Sequence, residues 1–333
     1  MKTKLIIGMV LFFQVLSLPS CKDKSPKIGF LMDNLVQERW TRDRDLFVQK
    51  VKDLGGQVTV EVAGGEAVKQ YTQAEKLINE GVDVLVVVPV DLNAAAQIAE
   101  LAHKNNVKVM SYDRLIKNCD LDYYVSFDHA EVGKLQASYL TTVCPKGNYV
   151  LINGPPSDNN TFLLELGQMN VLEPLVQRGD IKIVYNRFVD QWSEQEGYRL
   201  MQECLHTVHE PVHAVIAAND ALARGAINAL TEAGLAGKVY VGGMDAETDA
   251  CRKIVAGTQT MTVYKPIEAI ASTAASIAMQ LALGTCNQEV RLTVNNGKKL
   301  VPAILLPSMV VNKKTIRLTV VADGYLEANK IYQ

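Results

Sequence analysis

The chain has 333 residues, of which 48% are hydrophobic and 21% charged, and its formal net charge is −2 with a sequence pI near 6.2. This ordinary globular composition can bury one large hydrophobic core or two moderate ones. It provides no basic field that would attract nucleic acid or an anionic membrane surface, so neither is an expected partner.

The N-terminus predicts export. Lys2 and Lys4 precede an apolar run over 5–16 that is too short to span a bilayer, and "SLPSC" then ends at Cys21. The stretch resembles a bacterial lipoprotein signal, which implies that 1–20 is removed and that Cys21 is lipidated. A plain secretory signal cleaved nearby is the alternative. Either version predicts a protein of the cell envelope or periplasm, held to a membrane by at most a lipid anchor.

Short runs rich in Val and Ile then alternate with segments of helical period, which is typical of βαβ units and a parallel sheet. A first series of strands is predicted at 27–32, 57–63, 82–89, 107–113 and 123–128. A second series is predicted at 148–154, 181–189, 213–220, 238–245 and 259–265.

The segments between the strands have an apolar face at helical spacing, as Phe47, Val51 and Leu54 show in the first of them. Two series of alternating elements predict an α/β fold with two doubly wound lobes. An alanine-rich stretch over 269–284 adds a further helix, and Gly284 is a natural C-terminal stop.

Five cysteines follow the signal segment, and their spacing contains no CxxC pair. Neither a zinc site nor a dense disulfide framework is therefore predicted. Because the number is odd, at least one thiol is expected to be free. The five are Cys119, Cys144, Cys204, Cys251 and Cys286.

Polar and aromatic side chains collect directly after the predicted strands, where open parallel α/β sheets bind their ligands. Paired acceptors, planar amides, guanidinium groups and both tryptophans suit a neutral polyol, whose adjacent hydroxyls donate and accept while an aromatic face covers the ring. We therefore predict a ligand site formed by Arg39, Trp40, Asp113, Arg114, Asn160, Trp192, Asn219, Asp245 and Lys265.

Simpler interpretations exist for several of these residues. Asn219 could be only a helix N-cap, Asp113 and Arg114 only a local ion pair, and Trp40, seven residues before Phe47, only a core residue. The other charges of "VQERWTRDRD" are interpreted as helix-start and surface charges: Glu38, Arg42, Asp43, Arg44 and Asp45.

Catalysis has little support in the sequence. It contains no GxGxxG after a strand, no Walker loop, no HExxH and no GxSxG. The histidines of "HTVHEPVH" (206–213) are interpreted as a surface connector, because Pro211 breaks the helix that would align them. We predict no enzyme activity, no cofactor and no metal, although a glycosidase pair such as Asp113 and Asp245 stays open because their separation is unknown.

Several motifs resemble those of the periplasmic D-xylose-binding proteins of bacterial ABC importers, from about residue 26 to 320. "ERW", "YDR" and "TVYKP" are together specific for that family, and "DNN", "NDALARGAI" and "VNNGKKLVP" add to the likeness. Two departures are "GMD" before Asp245, in place of the usual "GQD", and "FVDQW" around Trp192. The resemblance assigns sugar contacts to the residues collected above, with Trp40 and Trp192 as aromatic walls.

The resemblance also implies a type I periplasmic binding protein, in which two Rossmann-like lobes joined by three crossings close on one sugar. We expect an N-terminal lobe of 26–128 plus 264–292, a C-terminal lobe of 129–263 plus 296–320, and a tail over 321–333. Hinges are expected near 127–129, 261–263 and 293–295.

The implied function is high-affinity binding of a monosaccharide, D-xylose, by a monomer that delivers it to the permease of an ABC importer. A sensor that signals to a membrane kinase or chemoreceptor would look the same in sequence. A repressor of this fold would need a helix-turn-helix where the export signal lies.

Overall fold

The computed structural model of the chain describes residues 25–286 and 292–332. The predicted signal segment and Cys21 lie outside the described residues. Within those two ranges, no helix combines the length and apolar character needed to cross a membrane.

Strands and helices alternate along the chain, as the sequence predicts. The strands are β1 (Lys27–Met32), β2 (Gln57–Val62), β3 (Val84–Val87), β4 (Lys108–Tyr112), β5 (Tyr123–Phe127), β6 (Gly147–Asn153), β7 (Ile181–Phe188), β8 (Ala214–Ala217), β9 (Tyr240–Gly242), β10 (Met261–Tyr264), β11 (Thr293–Asn295), β12 (Leu300–Leu306) and β13 (Met309–Asn312). The helices are α1 (Glu38–Asp53), α2 (Ala67–Asn79), α3 (Ala96–Lys104), α4 (His129–Val143), α5 (Asn159–Gln177), α6 (Glu194–Thr207), α7 (Asp220–Glu232), α8 (Thr248–Ala256), α9 (Ile267–Leu283) and α10 (Ala328–Ile331).

The strands form two sheets. The first has the order β11-β12-β5-β4-β3-β1-β2 and the second has the order β13-β10-β9-β8-β6-β7. Each is parallel except at one edge, where β11 pairs antiparallel with β12 and β13 pairs antiparallel with β10. Central strands such as β3 and β8 are buried along their whole length, which explains why they read as unbroken apolar runs.

Helices pack on both sheets, and each sheet with its helices forms one lobe. In the N-terminal lobe, α1 and α9 pack against the first sheet around Phe30, Phe47 and Ile270. In the C-terminal lobe, α4 and α5 lie side by side, and a Cβ at Gly133 would lie only 2.0 Å from the carbonyl oxygen of Leu164. Glycine is therefore required for this close backbone approach.

The chain crosses between the lobes three times, and two crossings differ from the predicted hinges. The first follows β5 at Asp128, within the range expected. The second lies at 265–266 because Met261–Tyr264 pairs in the second sheet. The third lies at 307–308, because β12 pairs parallel with β5. The assignment of all of 296–320 to the C-terminal lobe is therefore wrong for β12, which belongs to the first sheet.

The segment predicted as a C-terminal tail is packed against the second crossing. A π-helical turn at Arg317–Val321 and the short α10 bring Val320, Leu326 and Ile331 into a cluster with Tyr264 and Ile267. This segment therefore packs against the hinge at the second crossing.

Candidate functional site

The side chains predicted at the strand ends meet in one cavity between the lobes, because the carboxyl ends of parallel strands meet at one edge of each sheet. The cavity is lined by all nine of the predicted residues. The N-terminal lobe contributes Arg39, Trp40, Asp113 and Arg114, the C-terminal lobe contributes Asn160, Trp192, Asn219 and Asp245, and Lys265 lies at the second crossing.

Four lining residues are absent from the prediction: Gln37, His129, Asp158 and Met244. Asp158 could have been found, because it caps α5 directly after β6 and its Oδ1 accepts from the Asn160 backbone N–H at 2.9 Å. Gln37 directly precedes α1, within the charged run "VQERWTRDRD". His129 and Met244 also follow strands, but no spacing pattern marks them.

Two acidic residues enter the cavity from unusual backbone conformations. Asp113 and Asp245 have φ values of 60° and 104°, which few residues other than glycine adopt. The carbonyl of Asp113 is held by hydrogen bonds from the Tyr124 hydroxyl at 2.9 Å and the Ser126 hydroxyl at 2.6 Å. Such conformations cluster at ligand sites because surrounding structure has to maintain them.

Arg39 is the centre of the charged network. Its guanidinium lies 2.8 Å from Asp113 Oδ2 and 3.6 Å from Asp245 Oδ1, so it joins acids from both lobes. Burial alone would raise the pKa of the Asp113 carboxyl, but Arg39 and then Lys265 together hold that pKa well below its usual range. Asp113 is therefore ionised throughout the physiological pH range.

Asp43 was interpreted as a surface charge, and this interpretation is wrong. The side chain is fully buried and holds Arg39 from the following turn of α1, with Nε to Oδ2 at 3.1 Å. Its Oδ1 accepts a further hydrogen bond from the Tyr112 hydroxyl. Burial raises the pKa of Asp43, and Arg39 opposes that rise. Asp43 therefore fixes the orientation of Arg39.

Lys265 supplies a second buried cation at the second crossing. Only 1% of its surface is exposed, and its Nζ lies 3.0 Å from Asp245 Oδ1. The same ammonium lies 5.7 Å from the centre of the Phe127 ring, within range of a cation–π attraction. The Asp245 carboxylate therefore lies between Lys265 and Arg39.

Arg114 bridges the lobes. It lies 2.7 Å from Asp33 Oδ2 in its own lobe and 2.9 Å from Asp158 Oδ2 in the other. The Trp192 indole N–H also donates to Asp158 Oδ2, at 3.2 Å. Among the described residues, Arg114 pairs with Asp33 and Asp158 rather than with the adjacent Asp113. The ion pair between Asp113 and Arg114 that the sequence suggested as an alternative therefore does not form there.

Asn219 is a helix N-cap and Trp40 is a core residue, as the simpler interpretations of the sequence proposed, and both also line the cavity. Asn219 caps α7, and its Oδ1 accepts from the Leu222 N–H at 2.9 Å, which leaves its amide NH₂ able to bind elsewhere. Trp40 belongs to the N-terminal core and is 4% exposed. The Arg39 guanidinium lies 4.4 Å from the Trp40 ring centre. Trp40 therefore supports the site as well as lining it.

The lobes also touch at the mouth of the cleft. The Gln37 side-chain amide donates to the Trp192 carbonyl at 2.8 Å, and the Leu92 N–H donates to the Ser157 carbonyl at 2.9 Å. Glu38, interpreted from the sequence as a solvated helix-start charge, instead bonds to Thr248 of the other lobe. These contacts make the arrangement a closed one.

Several buried polar atoms that belong to cavity-lining residues have no hydrogen-bond partner within 25–286 and 292–332. They are Gln37 Oε1, Asp113 Oδ2, Asn160 Oδ1, Asp245 Oδ1 and both ring nitrogens of His129. The two carboxylate oxygens have cationic neighbours but lack hydrogen-bond geometry with them. Such buried groups are costly when unpaired, so a ligand rich in hydroxyl groups suits this wall.

In the part of the chain that the structure describes, no group of three or more His, Cys, Asp and Glu side chains could hold a metal ion. The ring of His206 contacts the backbone carbonyl of Gln202, and the ring of His213 accepts a hydrogen bond from the backbone N–H of Asn148. The five described cysteines are free thiols, so no disulfide forms among them.

Comparison with known proteins adds independent findings. Residues 28–286 match the model of the periplasmic binding protein domain. The chain is 43% identical over 331 residues to the D-xylose-binding periplasmic protein of Escherichia coli (strain K12), covering 99% of this chain and 100% of that one. It is 45% identical over 313 residues to the protein of the same name in Haemophilus influenzae, covering 94% of each.

Solved structures agree in fold. A carbohydrate transporter solute-binding protein from Chloroflexus aurantiacus, in complex with D-glucose, superposes with a TM-score of 0.86 at 30% identity and covers 92% of this chain and 98% of its own. An ABC transporter solute-binding protein from Clostridium phytofermentans with bound β-D-glucose gives 0.85 at 25% identity, covering 92% and 99%.

Proposed function

This chain belongs to the periplasmic binding protein family, and from that premise we propose that it binds a monosaccharide, D-xylose, between its lobes and delivers it to an ABC importer. The observation that carries this proposal is the wall of buried polar atoms without a hydrogen-bond partner that lines the cavity between the lobes.

Each of the nine predicted residues has a role in this proposal. Arg39, Arg114, Lys265 and the amide of Asn219 donate hydrogen bonds to sugar oxygens, whereas Asp113, Asp245 and Asn160 accept from sugar hydroxyls. Trp40 and Trp192 face the C–H surfaces of the ring. Hydrogen bonds with a charged partner are worth about 1.5 to 3 kcal/mol each, so a few of them give high affinity.

Closure follows from the distribution of these residues between the lobes. A sugar that touches Asp113 on one side and Asp245 on the other gains both sets of contacts only when the lobes approach. It therefore favours the closed form by its difference in affinity for the two forms. The three crossings act as the hinge, and the closed protein is the form presented to the permease.

The place of action follows from the relatives and from the N-terminal sequence. Both D-xylose-binding relatives are named as periplasmic proteins. The apolar run over 5–16 acts as an export signal, Cys21 carries a lipid anchor, and the mature protein is a monomer that works beside the membrane without enzymatic activity.

Isothermal titration of the mature protein with D-xylose, L-arabinose, D-ribose and D-glucose tests the proposal. We expect saturable heat with one site per chain and the tightest binding for D-xylose. An absence of heat and of any rise in melting temperature across the panel would contradict sugar binding.

A further inference from the structure

His129 lines the cavity at the first crossing between the lobes. It is the first residue of α4, directly after the Asp128 N-cap, so its position is set by the point where the chain enters the C-terminal lobe. Only 1% of its surface is exposed, and the imidazole contributes to the wall that Asp113, Asp245 and Lys265 also form.

The imidazole of His129 has no hydrogen bond to any residue that the structure describes. Both Nδ1 and Nε2 are buried and unpartnered. Asp128 uses its own side chain to cap α4, where it accepts from the Glu131 N–H at 3.0 Å, so the nearest acid in sequence is already engaged. A buried ring in which neither nitrogen is paired is unfavourable unless a ligand completes it.

We propose that His129 is a further sugar-contacting residue, whose imidazole donates to one hydroxyl of the bound monosaccharide and accepts from it or from its neighbour. This inference rests on the proposed sugar-binding function and extends it to a residue that the strand-end pattern did not mark.

The charge state of the ring supports this role. Burial and the nearby Lys265 lower the pKa of His129 to about 3, Arg39 adds to that effect, and Asp113 and Asp245 oppose it. The ring is therefore neutral at physiological pH and has one N–H donor and one acceptor nitrogen. Arg39 and Lys265 can only donate and the two carboxylates can only accept, whereas a sugar hydroxyl does both. A neutral imidazole complements such a hydroxyl.

A structural role for His129 predicts different results from a ligand contact, and the NMR signals of the imidazole separate the two. In the wild-type protein, D-xylose should shift the ring resonances of His129 and leave those of the exposed His206 in place. Affinity should fall about tenfold or more in His129→Leu, which lacks both polar atoms, since one lost hydrogen bond of about 1.4 kcal/mol corresponds to tenfold. His129→Gln keeps a donor and an acceptor, so its affinity for D-xylose should lie between that of the wild type and that of His129→Leu.

The control variant is His206→Gln, because His206 is exposed on α6 and its ring contacts the Gln202 carbonyl of the same helix. Its affinity should match the wild type. If wild-type protein binds D-xylose but its His129 resonances do not move, or if His129→Leu binds as tightly as the wild type, the inference is overturned and sugar binding stands. If the wild type binds no sugar in the titration panel, the proposed function itself fails. The wild-type NMR titration remains decisive even if His129→Leu does not fold.

Discussion

Glu38 of the N-terminal lobe accepts two hydrogen bonds from Thr248, the first residue of helix α8 in the C-terminal lobe. Its Oε2 accepts from the Thr248 backbone N–H at 3.1 Å, and its Oε1 accepts from the Thr248 hydroxyl at 2.8 Å. The N-cap residue of α8, Glu247, makes no capping bond with its side chain. A carboxylate from one lobe therefore satisfies the positive end of a helix in the other.

This contact exists only when the lobes are closed, so Glu38→Gln should speed the release of D-xylose. Loss of the charge at a helix N-terminus costs about 0.3 to 1 kcal/mol, which corresponds to a dissociation rate roughly two- to fivefold higher. Stopped-flow fluorescence measures that rate. Glu268→Gln is the matched control, because Glu268 is an exposed first-turn glutamate of α9. Equal dissociation rates in the two variants would contradict the idea that the Glu38–Thr248 contact stabilises the closed form.

Asp245→Asn should lower the affinity for D-xylose by at least about tenfold, because a hydrogen bond to a charged acceptor is worth about 1.5 to 3 kcal/mol. The change also removes the charge that lies between Lys265 and Arg39. Asp249→Asn is the control, since the Asp249 side chain is 40% exposed and pairs with Lys253 on the same helix. Isothermal titration compares the two, and similar losses would refute the assignment of Asp245 to the site.

Asp43→Asn should weaken sugar binding although Asp43 does not line the cavity. The variant loses the charged partner that orients Arg39 at 3.1 Å. We expect a lower affinity together with a free energy of unfolding reduced by about 1 to 3 kcal/mol, as for other broken buried hydrogen bonds. Titration and urea denaturation measure these quantities, and Asp45→Asn, at an exposed neighbour, should change neither. Unchanged affinity in Asp43→Asn would show that Arg39 needs no such support.

D-Xylose should change the tryptophan fluorescence, and most of the change should come from Trp192. Trp40 is 4% exposed and packed in the core of one lobe, whereas Trp192 is partly exposed and contacts Gln37 across the cleft. Its surroundings therefore change more on closure. Trp192→Phe should abolish most of the signal and Trp40→Phe should retain it. The opposite pattern would mean that the N-terminal wall carries the response.

The buried imidazole of His129 should make the closed protein less stable in acid. An unfolded histidine titrates near pH 6.5, whereas the pKa of His129 is lowered to about 3 by burial and Lys265, so only the unfolded chain binds this proton between those values. The free energy of unfolding should therefore decrease as the pH is lowered through that window, by at most about 1.4 kcal/mol per pH unit from this group.

Urea denaturation at saturating D-xylose between pH 7 and pH 4 measures this dependence. Among the charged groups that face the ring, Asp113 stays ionised because its pKa is lowered, and Arg39, Lys265 and Asp245 are present in both proteins. His129→Gln should therefore have the shallower dependence. Parallel curves for the variant and the wild type would contradict a neutral His129.

The sequence predicts those parts of the molecule that follow from local rules. Buried parallel strands appear as apolar runs, and the rule that ligands bind at strand ends is enough to collect residues as distant as Arg39 and Lys265. The second crossing was misplaced because β10 pairs in the second sheet as far as Tyr264. The third was misplaced because β12 is a short apolar run that would suit either sheet. Only its pairing with β5, which is distant in sequence, decides between them.

The missed roles have a similar cause. Asp43 and Asp45 lie in the same charged run, and only the spacing of four residues from Arg39 distinguishes the buried acid from the exposed one. Glu38 reaches Thr248 only after both lobes have folded and closed. His129 is an isolated histidine after a strand, and its unpaired nitrogens exist only in the assembled cavity.

The left-handed backbone at Asp113 and Asp245 limits how this binding site can change during evolution or redesign. At φ values of 60° and 104°, Gly, Asn and Asp are tolerated, whereas most other residues add roughly 1 to 2 kcal/mol of strain. Of these three, only Asp supplies a charged acceptor. A variant with a new sugar preference should therefore keep both acids and differ at positions of ordinary backbone conformation around them, such as Met244 and Trp192.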